Sequence, residues 1–255
     1  MSQYSQLYDA SVPDWPGELD FYHNLAQEVA YGQGAILEVA CGTGRIAVRL
    51  AQTGIRVVGL DRSADLLAGA KAKSTDMPNV RWEEGDMRDF DLVETFALII
   101  IPGHSFQFML TPTDQVACLR TIHRHLQPNG RLVVHLDHQK VEWLGELRGQ
   151  KGGQFEPTKE LIHPQNGRKM QVSEAWTYDP VTQTASVRTM RDITEADGQW
   201  MERVERGPTA LHCVFPFEME HLLARVGFRD IVVYGDFFAG KLRADSTDMI
   251  WVASR

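Results

Sequence analysis

Two glycines and three carboxylates carry the most legible chemistry in this chain. Gly42 and Gly44 follow the apolar run Ala35-Ile36-Leu37-Glu38-Val39 and open a helical pattern with Ile46, Leu50 and Ala51 on one face. Glycine takes positive φ at little cost and lets a ligand reach the backbone without meeting a Cβ. The helix behind the turn offers free N–H groups at its N-terminus. Asp61 ends the second apolar run, at the spacing of a ribose-binding acid. Asp86 follows the third, between Gly85 and Met87. Its carboxylate can accept from an adenine amino group, and Met87 offers the ring an apolar surface. Together they describe a site for a nucleotide-like ligand. His104, Asp137 and His138 stand just past two later apolar runs.

Strands and helices must alternate to hold these groups at one edge. The patterning predicts a helix from Glu18 to Tyr31, a strand over 35–39, and a helix from about 44 to 53. A strand from Ile55 follows, ending at Asp61, and Ser63 caps a helix over 64–73. Strands over 79–84 and 96–101 come next, then a helix opened by Thr113 and closed by Pro128-Asn129-Gly130, and a strand from Arg131 to Leu136. Apolar strands alternating with helices mean a parallel sheet covered on both faces. After residue 139 the pattern changes. A short helix over Val141 to Leu147 precedes period-two stretches set off by Asn166-Gly167, Asp179-Pro180 and Asp197-Gly198, which are hairpin signals. A helix from Phe217 to Val226 and strands over 228–234 and 248–253 close the chain. The expected organisation is one α/β domain in four parts. Residues 1–34 form an N-terminal lid and helix, 35–138 a ligand-binding core, 139–212 an inserted antiparallel cap over the substrate, and 213–255 the closing elements.

Composition narrows the class. The chain has 255 residues, 43% of them hydrophobic and 24% charged, in the range of soluble globular proteins. Its net charge of −8 argues against a phosphate-backbone binder, so no nucleic-acid partner is expected. No apolar run has the length of a membrane span, and Met1-Ser2-Gln3-Tyr4 does not start a signal peptide. Cys41, Cys118 and Cys213 are far apart and make neither a zinc pattern nor a disulfide framework. A reducing, cytoplasmic setting without a metal centre is expected.

Gly42-x-Gly44-x-x-Ala47 with Asp61 suits either NAD or S-adenosylmethionine. Three features separate them: Glu38 inside the first strand, the second acid Asp86, and a helix–strand–strand ending in place of a second mononucleotide-binding half. With these, the chain resembles the class I S-adenosylmethionine-dependent methyltransferases over essentially its whole length. Leu37-Glu38-Val39-Ala40-Cys41-Gly42-Thr43-Gly44 is similar to their first motif, with Ala40 in place of its first glycine. Asp61 matches the acid ending strand two, Gly85-Asp86-Met87 the third motif, and Ile101-Pro102-Gly103-His104 the fourth. Leu126-Gln127-Pro128-Asn129-Gly130-Arg131-Leu132 is similar to the turn before strand five, with Asn129 replacing a glycine. The resemblance implies a Rossmann-like seven-stranded sheet of order 3-2-1-4-5-7-6, its last-but-one strand antiparallel.

The same resemblance implies roles. Ala40, Gly42, Thr43 and Gly44, with Arg45, hold the methionine part, and Glu38 orients their loop. Asp61 and Arg62 lie at the ribose, Gly85, Asp86 and Met87 at the adenine, and Ile101 and Pro102 complete the site. Tyr8 and Tyr22 lie near the cofactor or in a lid, or simply pack a helix. His104 is a general base, a wall residue or a cofactor contact, and Asp137 or His138 meets the substrate; His135 is a core histidine. Trp176, Tyr178, Arg188, His212 and Phe215 are the candidate substrate residues. The expected reaction moves a methyl group to N or O of a small molecule. The protein is a monomer, or a homodimer through the inserted sheet. Two rivals are a nicotinamide-dependent oxidoreductase and a protein that binds S-adenosylmethionine without transferring methyl.

Overall fold

The apolar runs at the centre of the chain's parallel sheet are buried on both faces. In the computed structural model, which describes residues 12, 14–30, 34–149, 151–162 and 166–255 and the side chains of all but 29 and 30, β1 (Ile36–Val39), β2 (Val57–Asp61) and β4 (Phe96–Ile101) are buried at every position. Such burial requires a layer of helices on each side. β3 (Val80–Glu84) is an edge strand and only partly covered. β5 (Leu126–Asp137) pairs parallel with β4. It starts earlier than the pattern predicts: Leu126 already pairs with Phe96, and the register shifts before Leu98 meets Arg131. Asn129 takes φ 62 within the irregularity, a conformation that asparagine tolerates better than most residues.

The sheet order is β10-β11-β5-β4-β1-β2-β3. β11 (Asp248–Ser254) runs antiparallel to both β5 and β10 (Arg229–Tyr234), so the expected order and the antiparallel last-but-one strand are both present. The period of two divides the core. Ile99 and Ile101 of β4 join one apolar cluster with helices α4 (Pro112–His125) and α6 (Pro216–Val226). Leu98 and Ile100 join a second with α1 (Glu18–Ala30) and α2 (Arg45–Gln52). Ser63 caps α3 (Ala64–Lys73), its Oγ accepting from the Leu66 N–H at 3.4 Å. Thr111 caps α4 in the same way, so that helix opens on Pro112 rather than Thr113.

Residues 1–138 with 214–255 make one compact unit and residues 139–213 another. The second holds α5 (Val141–Leu147) and an antiparallel sheet of order β6-β7-β8-β9. β7 (Lys169–Asp179) and β8 (Thr184–Thr194) fall where the turn signals place them. β6 (Glu156–Ile162) is an edge strand whose first five residues are all exposed, so no alternation marks it in the sequence. β9 (Trp200–His212) follows the Asp197-Gly198 signal and shifts register between Val187 and Thr189 of its neighbour. Among the described residues, no helix is long and apolar enough to cross a membrane.

Candidate active site

The acid inside β1 has a clear task. Glu38 is buried, and its Oε2 accepts from the Ala47 N–H at 2.6 Å, an otherwise orphaned donor in the first turn of α2. Burial pushes its carboxyl up to about 8, against the pull of that N–H and of the Arg45 charge. Asp61 ties the same loop to β2. Its Oδ2 accepts from the Gly42 N–H and its Oδ1 from the Ser63 N–H, both at 2.8 Å. A carboxylate has about four acceptor positions, so each oxygen keeps one for a ligand.

Ala40, Gly42 and Gly44 all take positive φ, at 57, 55 and 77°. Ala40 therefore sits in the left-handed region that favours glycine, at a cost of about 1–2 kcal/mol. Gly44 is needed for a second reason that the loop's sequence does not show. A Cβ there would lie 2.4 Å from the Trp82 indole, and a Cβ on Gly59 only 2.3 Å from the same ring. Trp82 is anchored by its Nε1–H, which donates to Ser74 Oγ at 2.9 Å. Gly44 thus makes room for a protein ring, where close approach of a ligand was the expectation.

Asp61 at the end of β2 with Arg62 beside it, and Gly85, Asp86 and Met87 after β3, line one cleft together with Ala40. Leu60, Phe108 and Met109 supply apolar wall. The last two come from a short 3-10 turn (Ser105–Phe108) and its end, where the sequence carries no periodic signal. Asp86 is held by a neighbour that sequence reasoning missed. Arg88 donates from its backbone N–H and Nε to Oδ1, both at 2.9 Å, and from Nη2 to Oδ2 at 2.7 Å, while Nη1 reaches Asp114. The guanidinium keeps the Asp86 carboxyl below its ordinary range, so it is available as an acceptor.

Four of the expected contact residues are engaged elsewhere in the structure. Arg45 does not point a free fork at a ligand: its Nη1 and Nη2 donate to the buried Glu18 at 2.7 and 3.2 Å, and Nη1 also to Asp14. It locks the start of α1 to the loop. Tyr22 is wholly buried against Phe21 and Phe237, and its hydroxyl finds no partner among the described residues, so it is core rather than lid. Ile101 turns into the core cluster because the strand's alternation points it there, and Pro102 is buried beside it. Tyr8 lies outside the described residues. Thr43 is buried, and its carbonyl accepts from Lys73 Nζ at 3.2 Å.

His104, in the turn after β4, does not gather Asp137 and His138 as companions. The Asp137 N–H donates to Gln107 Oε1, and His138 Nδ1 lies 2.9 Å from the Ser246 carbonyl. The groups that meet His104 are His135 and Asp248. His104 Nε2 is 3.1 Å from His135 Nε2 and 3.2 Å from Asp248 Oδ1, and His135 Nε2 is 2.8 Å from that same oxygen. Burial lowers His135 to about 4. Burial works to raise Asp248, but hydrogen bonds from His104, His135 and Thr247 outweigh it and hold the carboxyl below its usual range.

In the four-stranded unit, Trp176 and Tyr178 pair with Val187 and Ala185, whereas Arg188 pairs with Ala175. Paired residues share a face and neighbours along a strand do not, so Arg188 lies on the opposite face from the two aromatics. The three cannot line one wall together. Trp176 Nε1–H donates to Glu174, and Arg188 is engaged by Glu205. His212 is buried as the last residue of β9 and does not enter the helix. Phe215, by contrast, is the residue before α6, in the other unit, its N–H donating to Glu218.

Residues 36–130 match the family model described as a methyltransferase domain. This stretch is therefore a methyltransferase domain, and the sheet built around it has the class I, Rossmann-like order. The chain is similar to the putative methyltransferase YqeM of Bacillus subtilis (strain 168), at 32% identity over 113 residues, 43% of this chain and 46% of that protein. It is also similar to the dTDP-3-amino-3,4,6-trideoxy-alpha-D-glucopyranose N,N-dimethyltransferase of Streptomyces venezuelae, at 28% over 131 residues, 51% of this chain and 54% of that one. The chain thus spans about half the length of the curated relatives it matches. Among solved structures, the SAM-bound amino pentose methyltransferase CalS10 from Micromonospora echinaspora superposes with a TM-score of 0.75 at 21% identity, covering 100% of this chain and 97% of that one. At this identity the likeness establishes the fold.

Proposed function

We propose that this protein transfers a methyl group from S-adenosylmethionine to the amino nitrogen of a small molecule. The observation that carries the reading is the cleft at the carboxyl ends of β2 and β3, which Asp61 and Asp86 line together with apolar side chains. Its residues fit an adenosyl group: the spare acceptor positions on Asp61 suit vicinal hydroxyls, Asp86 suits an exocyclic amine, and Met87, Phe108 and Met109 suit a flat ring. Ala40, Gly42 and Gly44 turn the loop toward the methionine end through positive φ, and Glu38 holds the helix behind it. Bound S-adenosylmethionine supplies an electrophilic methyl on a sulfonium sulfur. The chain's part is then alignment, worth about 7–11 kcal/mol in favourable cases. A neutral amine needs no strong base. That suits a His104 whose Nε2 already faces His135 and Asp248. The acceptor class rests on the relatives, which include dimethyltransferases of amino sugars.

In this reading the edge strands β6 and β9 of the four-stranded unit offer a dimer contact. A reducing cytoplasmic setting suits three free cysteines. The test has two arms. Calorimetric titration should show S-adenosylmethionine binding, with NAD inert, and Asp61→Asn should raise Kd at least about tenfold. Incubation with labelled S-adenosylmethionine and a panel of amino-sugar nucleotides should label one of them. Tight binding without labelling of any small molecule would leave a binder and overturn the transferase.

A further inference from the structure

His104, His135 and Asp248 come from the turn after β4, the carboxyl end of β5 and the start of β11, separated along the chain by 31 and 113 residues. The parallel and antiparallel pairings of β5 bring them to one edge of the sheet. Their facing atoms form a triangle with sides of 2.8, 3.1 and 3.2 Å. No placement of protons turns all three sides into hydrogen bonds. Each Nε2 carries one N–H or one lone pair, directed along a single line, and an ionised carboxylate oxygen only accepts. With both nitrogens protonated, two N–H groups crowd each other across 3.1 Å. With either one bare, its lone pair faces the carboxylate.

A cation removes the conflict, because it wants three lone pairs aimed at one point. Ligand atoms about 2.1 Å from an ion and cis to one another on an octahedron lie about 3.0 Å apart, close to all three sides. Two imidazoles and one carboxylate on one face make a set that divalent first-row metals accept, with the other positions open. Trp15 sets its ring edge-on to both histidines, at 5.2 and 4.8 Å between centroids, and Phe237 stands 4.9 Å from His135. These aromatic walls limit solvent access, and the Arg45 guanidinium stands 5.4 Å from the Trp15 ring. His104 and Asp248 keep 27 and 14% of their side-chain surface exposed, which leaves a way in.

We infer that His104 Nε2, His135 Nε2 and Asp248 Oδ1 bind one divalent transition-metal ion, with coordination positions left open for an oxygen of a bound small molecule. This stands apart from the methyl-transfer reading, since S-adenosylmethionine binding is measured separately. The experiment is equilibrium dialysis of the full chain against Co2+, with the bound metal quantified and the visible absorption recorded. The expected result is one ion per chain, with d–d bands that appear in step with occupancy. His104→Ala and Asp248→Asn, both at partly exposed positions, should each weaken Co2+ binding at least tenfold while circular dichroism and S-adenosylmethionine affinity stay at wild-type values. Absence of stoichiometric Co2+ in the folded wild-type chain, or wild-type affinity in either variant, overturns the inference.

Discussion

Glu38 shows how one buried carboxyl can set a pH profile. Its ordinary value is 4.5 and burial carries it to about 8 in the folded chain. The unfolded chain gives up this proton near 4.5 while the folded chain keeps it, so the contribution to stability is full below that value and falls as pH rises toward 8. The slope is about 1.4 kcal/mol per pH unit where the group acts alone. Glu38→Gln keeps an acceptor for the Ala47 N–H but does not titrate. The denaturant midpoint of wild type should therefore decline relative to E38Q between pH 5 and 8, and parallel profiles would remove Glu38 as the cause. Tyr22 offers the opposite case. Its hydroxyl is buried without a partner among the described residues, so Tyr22→Phe should stabilise the chain by about 1 kcal/mol in urea titrations. A loss of stability would mean the hydroxyl is satisfied after all.

At the scale of elements, the junction of β1 and α2 is set by a ring on β3. Gly44 and Gly59 face the Trp82 indole from the loop and from β2. Gly44→Ala brings both a Cβ clash and an unfavourable φ, and should cost about 2–5 kcal/mol. Because the clash is with Trp82, the cost should shrink in a Trp82→Ala background, by at least about 1 kcal/mol in a double-mutant cycle. Additive costs would show that φ alone governs the position. The first motif could be read from its spacing. The demand that Trp82 makes on it could not, since the two lie 38 residues apart and neither carries a mark of the other. The early start of β5 was equally hidden, because Asn129 lies in a segment that reads as a turn yet still pairs through Leu126.

For the molecule as a whole, the three cysteines report on global opening. All are free and buried, and burial raises the thiols of Cys41 and Cys118 well above their usual range. None should react with a thiol reagent in the native state and all three in guanidinium. A native fast-reacting fraction would show that some region opens without unfolding. The two compact units place Cys41 and Cys118 in one and Cys213 in the other, so labelling followed by peptide mapping separates the stability of each.

The order of apolar runs was enough to predict a parallel sheet covered on both faces, because continuous apolar strands joined by amphipathic helices have few other ways to bury themselves; the seven-stranded order followed from the resemblance. The glycine loop, Asp61 and Asp86 were legible for a related reason: each is local, a few residues at a strand end. What tertiary structure decided is everything that depends on pairing between distant strands. It directed Arg45 to Glu18 rather than to a ligand and turned Tyr22 inward. It put Arg188 on the far face from Trp176. It also brought His135 and Asp248, unremarkable in their own segments, within hydrogen-bond distance of His104. Side-chain convergence across a sheet is fixed by register, and register is a property of two strands that neither one spells out alone.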